Sequence, residues 1–495
     1  MTRSLLSARS WLFVSALLCT ATYLIRLSGP SDLESYAQVL NVGYILDLMN
    51  RGNWIVQYDL ERAIMSKPPL HTWLMAPFTA TLGLNRLALT LPSFLSILAL
   101  AALVLVAGRR RFGLLAGGLA ACAVVLAPTM AKQAALVRTD PVFMLVTAAA
   151  ALAAFAAWDR GPEKGRPFWL LFWFGAALTT LIKGPLGVLL AAGGLLAHFW
   201  EKRDNPQHPA PHGPHMQGLL LFILLAGGWF LAAWLHAGQA LIDKMLHAEL
   251  IGHAVGEHSG GWQFTDLFKP TFFLFLRYLP FSLAVFYALW RVIRHPASDP
   301  GARRFERFLT CWLLVGLVVF SLAKHQRADH LLPLWPACAL LAGRELARLA
   351  TRTGEKRFLG IGTLVALALL ATTYANIHSS RSKGQGGSDY ARELRLARDA
   401  ELAATTLRTS GIDLKRLHHV DTPLTLQLYL GTFRQYETPQ QLDAALRSGP
   451  IEVALGASEI GTLKLATPLR ETTRLLRWPA EEDRPPVLQV YRLIP

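Results

Sequence analysis

Cysteine is scarce, with four in 495 residues. Cys19, Cys122, Cys311 and Cys338 all sit inside apolar runs, and none occurs after residue 338. That excludes a Cys-rich metal knuckle and a disulfide-stapled C-terminal region, even in an oxidising compartment. Charge is scarce too. Asp, Glu, Lys and Arg make up 17% of the chain, against roughly a quarter in an average soluble domain. A soluble chain of this length would form two or three domains with polar surfaces, and there is too little charge to cover them. No basic stripe interleaved with aromatics lies outside the apolar runs, so nucleic acid is not an expected partner. An internal repeat and a phosphate-cradling glycine-rich loop are also missing.

Apolar residues supply 53% of the chain, and they are concentrated in long runs. These fall near 11–27, 87–108, 113–131, 141–158, 168–182, 185–200, 218–236, 271–290, 308–323, 331–347 and 358–375. The expected fold is a polytopic α-helical membrane protein of about 11–13 spans, followed by a soluble α/β domain. The first run follows Arg3 and Arg9 and has no small-x-small cleavage site before Ser28-Gly29-Pro30, so it reads as a retained signal anchor. The stretch 70–83 is short and holds Pro77, which fits an interfacial or re-entrant helix.

With the N-terminus inside and 70–83 not spanning, the basic residues divide 20 inside to 11 outside. Counting 70–83 as a span would put the Arg-rich loops outside, against the positive-inside rule. The net charge of +16 is thus largely anchoring. The His-Pro segment 208–215 reads as a disordered cytoplasmic loop. The membrane part is expected over 1–376, with a first outside loop at 29–86. A linker follows at 377–388, then a soluble domain over 389–495 on the outside. That domain should carry a helix at 389–409 and strands near 415–420, 451–456 and 487–493.

The outer face collects single charges at the ends of runs, where they are expensive and suggest function. The first outside loop opens with Ser31-Asp32-Leu33-Glu34-Ser35-Tyr36 and closes with Ser66-Lys67-Pro68-Pro69-Leu70-His71. Arg138-Thr139-Asp140, Lys183-Gly184-Pro185 and Lys324-His325-Gln326-Arg327-Ala328-Asp329-His330 reach the same face. Several cations beside a carboxylate suit an anionic lipid headgroup: the cations offset its phosphate, and the carboxylate moves a proton or orients the acceptor. Asp32 has a second reading, as the N-cap of a helix starting at Leu33. A further set, Glu249, His253 and Glu257, is spaced to share one helix face and could hold zinc or manganese. The polar side of an interfacial helix would look the same, and the sequence otherwise requires no cofactor.

These blocks, in this order, resemble the GT-C type glycosyltransferases that use polyprenyl-phosphate sugars, in the branch of the lipid A aminoarabinose transferases and relatives of protein O-mannosyltransferases. Asp32 with Tyr36-Ala37 is similar to that family's Asp-Glu-x-x-Tyr-Ala, and Lys67-Pro68-Pro69-Leu70 to its Lys-Pro-Pro-Leu. Leu279-Pro280-Phe281-Ser282 and the stretch 321–336 resemble further blocks. The resemblance implies a GT-C-like fold and an inner-membrane enzyme with a periplasmic C-terminal domain. It implies transfer of a sugar from a polyprenyl-phosphate donor to lipid A, protein or glycan. It makes Asp32, Glu34 and Asp140 the catalytic candidates. Lys67, Arg138, Lys183, Lys324, Arg327 and His330 would bind the donor phosphate. Leu33 and Ser66 stand where the family often has Glu, which removes two acids from its metal set, and His330 replaces a tyrosine. A rival from another class is a flippase for lipids or lipid-linked sugars. Transport predicts charges through the bilayer depth and inverted repeats, and the sequence has neither.

Overall fold

The computed structural model describes residues 5–29, 31, 33–245, 263–324, 326–378, 389–481 and 483–495. Among them, six helices are long and apolar enough to cross a membrane: Ala8–Leu27, Arg86–Phe112, Asp140–Lys183, His215–Ala237, Pro300–Leu322 and Glu355–His378. The chain is a multi-pass helical membrane protein with a small C-terminal sheet. It forms two compact units. One comprises Met1–Arg26, Ser66–His71 and Pro92–Tyr374; the other comprises Leu27–Met65, Thr72–Leu91 and Ala375–Pro495.

In the first unit the helix Asp140–Lys183 has 44 residues. Straight, it would measure about 66 Å, twice a bilayer core. Gly161 breaks it at φ 76°, ψ −177°, a conformation that favours glycine. The two limbs fold back as a hairpin, matching the two apolar runs at 141–158 and 168–182. Several basic residues that the sequence assigns to the inside loops pair with acids of those same segments. Arg304 donates to Asp159, Arg303 and Arg307 grip the fully buried Glu201, and Arg344 lies 2.9 Å from Glu306.

The His-Pro segment departs from expectation: it is laid against tryptophans. Trp158 Nε1 donates to the Pro209 carbonyl at 3.2 Å and Trp169 Nε1 to that of His212 at 2.8 Å. The His215 ring meets Trp169 edge-on at 4.7 Å. Composition alone missed this because the partners lie on both limbs of the Asp140–Lys183 hairpin, 43 and 51 positions earlier in the chain.

The second unit joins the first outside loop to the C-terminal domain. The sheet there has the order β1 (His418–His419), β2 (Ile451–Leu455), β4 (Leu488–Ile494), β3 (Glu471–Trp478). β1 and β2 run parallel, and the other pairs antiparallel. Along β4, Leu488 and Val490 pack with Ala400, Ala403 and Leu407 of the helix Asp389–Thr409, whereas Leu493 packs with Leu442 and Leu446. Alternate residues thus feed opposite faces, as the pleat requires. β3 is an exposed edge strand, ETTRLLRW, and it lacks the alternation that reveals a strand in sequence.

The loop itself is a helix, Tyr36–Arg51, followed by a tight return. Ser35 holds the N-cap position, so the helix begins three residues later than the capping reading of Asp32 requires. Asp59 closes the return, its Oδ1 accepting from Glu61 N at 3.0 Å and Ala63 N at 2.8 Å. Gly43 permits this approach, since a Cβ there would sit 2.6 Å from Leu60 N. Gly43→Ala is therefore expected to destabilise the second unit by about 1–3 kcal/mol through overpacking. Thermal unfolding in detergent checks it, and an unchanged melting temperature would refute the close-approach argument.

Candidate active site

Pro68 and Pro69 stop any helix before Leu70, and the helix Leu70–Leu82 starts directly after them. Lys67 is thereby left just ahead of a helix start and His71 is placed in its first turn. Asp140 is the first residue of the hairpin, with Pro141 suited to the first turn. Lys183 is the hairpin's last residue, before Gly184 at φ 82°. The fold-back at Gly161 brings these two ends together: Lys183 Nζ donates to Asp140 Oδ1 and lies 5.6 Å from the centre of the Phe143 ring.

Arg138, buried, donates from Nη1 to Asp329 Oδ2 at 2.7 Å. Its backbone is fixed by Ser93, whose hydroxyl donates to the carbonyl of Leu136 at 2.6 Å. Asp140 has Lys183, Arg138 and Lys67 within electrostatic reach. The first unit thus gathers Lys67, Arg138, Asp140 and Lys183 from three segments far apart in sequence. Asp329 belongs to the short helix Ala328–Leu334, and its neighbour His330 lines a small cavity with Gln326, Arg327, Phe320, Pro270, Phe273 and Leu331. Lys324 and Arg327 are exposed.

Asp32 lies outside the described residues, and so does the set Glu249, His253 and Glu257. Glu34 belongs to the second unit. Its Oε1 accepts from Thr425 N at 2.6 Å, at the start of the helix Leu424–Leu430. The neighbouring Ser31 N donates to Tyr429 Oη at 3.4 Å. Further along the loop, Gln435 Nε2 donates to Asp47 Oδ1 at 3.3 Å, and Tyr436 N donates to the Leu60 carbonyl at 3.1 Å. The segment 424–436 therefore fastens the first outside loop at its start and at its middle. Two residues absent from the sequence-based site are Asp329 and His71. Asp329 sits beside His330 in a stretch already singled out, and His71 follows Lys67 by four positions; chain proximity was the available signal.

Burial raises the pKa of the Glu34 carboxyl, offset in part by the Thr425 hydrogen bond. A raised folded-state pKa favours folding below the ordinary carboxylate range and loses that contribution as pH rises through the folded value. Glu34→Gln keeps an acceptor for Thr425 and removes the titration. Its melting temperature should vary less with pH than the wild type's between pH 4 and 8, a window of about four units around the carboxylate range. Parallel profiles would show that Glu34 does not carry this dependence.

In part of its sequence and in its fold the chain is similar to known sugar transferases. Residues 66–248 match the profile of the family described as dolichyl-phosphate-mannose-protein mannosyltransferase. More particularly, the chain is similar to an undecaprenyl phosphate-α-4-amino-4-deoxy-L-arabinose arabinosyl transferase of Pseudomonas fluorescens. The two are 26% identical over 359 residues, which is 69% of this chain and 61% of the relative. The chain thus spans about three-fifths of the length of that curated relative. In fold it is similar to ArnT from Cupriavidus metallidurans bound to undecaprenyl phosphate, with a TM-score of 0.71, 17% identity and 98% of each chain covered. It is also similar to the oligosaccharyltransferase AglB from Archaeoglobus fulgidus, with a TM-score of 0.50, 12% identity, and 86% of this chain and 60% of that one covered. The resemblance drawn from Asp32 to Pro336 is borne out at the level of fold.

Proposed function

We propose that this protein is an inner-membrane glycosyltransferase that moves a sugar from a polyprenyl-phosphate carrier to an acceptor on the periplasmic side. The observation that carries the reading is the gathering of Lys67, Arg138 and Lys183 around Asp140 in the first unit. Three cations against two carboxylates, Asp140 and the Asp329 that Arg138 meets, still leave positive charge in excess, which is what a phosphate leaving group needs. The fold relative bound to undecaprenyl phosphate supports the same donor class. The acceptor is lipid A, a protein or a glycan.

Attack by the acceptor oxygen on the anomeric carbon forms the new C–O bond and breaks the bond to the phosphate oxygen. That oxygen leaves with the electron pair, and the lipid phosphate gains a negative charge, stabilised by Lys67, Arg138 and Lys183. Asp32 takes the proton when the acceptor is a hydroxyl. An acceptor phosphate is already anionic and needs no base. One displacement inverts the anomeric centre. The periplasmic assignment is supported by the distribution of basic residues and by the joining of the first outside loop to the C-terminal domain in one unit.

The test uses purified protein with a labelled polyprenyl-phosphate sugar, and NMR of the product for its anomeric configuration. Inversion is expected; retention would overturn the single displacement. Lys67→Ala should raise KM for the donor about tenfold or more while leaving KM for the acceptor alone. An unchanged donor dependence would remove Lys67 from the phosphate site.

A further inference from the structure

His71 is 1% exposed, and among the described residues neither Nδ1 nor Nε2 has a hydrogen-bond partner. Buried polar side chains are nearly always satisfied, so an imidazole idle at both nitrogens calls for an explanation. The charges within its reach are Asp140, Lys67 and Lys183. Asp140 is already engaged by Lys183. Ammonium groups are donors only, so neither lysine can accept from the ring. Burial, with some help from the two lysines, outweighs the pull of Asp140 and holds the imidazole pKa down to about 4. The ring is therefore neutral near pH 7, with one N–H to give and one lone pair to offer. It is too weak a base there to be a proton acceptor of choice. Among the described residues its N–H has no acceptor, and the surrounding cations are what an anion would seek.

We propose that His71 donates a hydrogen bond to the phosphate of the lipid carrier, beside the lysines that hold its charge. This rests on the transferase reading above. In the donor the phosphate is a diester with one negative charge; as the C–O bond to the sugar breaks it becomes a monoester dianion. A fixed N–H strengthens as that charge develops, and a neutral donor does so without adding another cation beside Lys67, Arg138 and Lys183. His71 thus supplies orientation where the lysines supply charge.

The experiment compares full-length wild type, His71→Phe and His71→Gln in detergent for binding of two probes, a short-chain polyprenyl phosphate and the matching polyprenol. His71→Phe keeps a ring of similar bulk without its nitrogens, and His71→Gln keeps an N–H. The expected result is phosphate binding about tenfold weaker in His71→Phe, polyprenol binding unchanged, and His71→Gln within about threefold of wild type. Equal phosphate binding by His71→Phe and wild type overturns the proposal and leaves the ring to an internal water. Equal weakening for both probes also overturns it, as a packing effect. Wild type that prefers neither probe defeats the transferase reading itself, a result distinct from both. Thermal unfolding confirms that each variant is folded, and His71→Met carries the same comparison should His71→Phe not be.

Discussion

Asp32→Asn is expected to lower turnover by about 10²- to 10⁴-fold with hydroxyl acceptors, the usual contribution of a general base, while donor binding survives. Asparagine matches the shape of aspartate and retains an acceptor oxygen, but it cannot take a proton at neutral pH. The same variant sorts acceptors. A hydroxyl must lose its proton as the new bond forms, whereas a phosphate on lipid A arrives without one. A large loss with a glycan or protein acceptor, against a small loss with lipid A, would assign Asp32 to proton transfer. Full activity with every acceptor would remove it from the chemistry. The measurement is initial rate against donor and acceptor concentration with purified protein.

The second large effect is expected at the closure of the hairpin. Lys183→Met leaves Asp140 buried without the cation that touches it. Breaking a buried pair by removing one partner costs about 3–5 kcal/mol; with Lys183 21% and Asp140 11% exposed at the side chain, the low end of about 3 kcal/mol applies. Asp140→Asn combined with Lys183→Met should recover much of that stability, because no uncompensated charge is left behind. It should not recover donor affinity, because the cation is still gone. Chemical unfolding and donor titration on the two variants check this, and recovery of both properties together would mean that Lys183 serves only the fold.

The membrane class, the hairpin and most of the C-terminal domain were legible because each rests on periodicity or run length. Apolar runs at 141–158 and 168–182 marked the two limbs, and the alternation in Leu488–Ile494 marked the central strand. β3 was not legible, since an exposed edge strand has no buried face to pattern. The cations of the candidate site were legible as a set because charge beside an apolar run is rare. Their pairing was not: which of Asp140 and Asp329 each cation meets depends on a glycine kink and a short helix far along the chain. Glu34 shows the same limit. Its place beside Asp32 gave it a chemical reading in sequence, whereas its hydrogen bond to Thr425 spans 391 positions, a separation no local pattern reveals.

That separation sets a timetable for biogenesis. The segment that fastens the first outside loop is made 391 positions after Glu34, counted to Thr425, once the six long apolar helices have been synthesised. Until then Ser31, Glu34 and Asp47 have no 424–436 segment to grip, so a nascent or truncated chain would carry the lysines proposed to hold the donor before these contacts of the loop have formed. A late stretch of polypeptide is thus the latch on an early one.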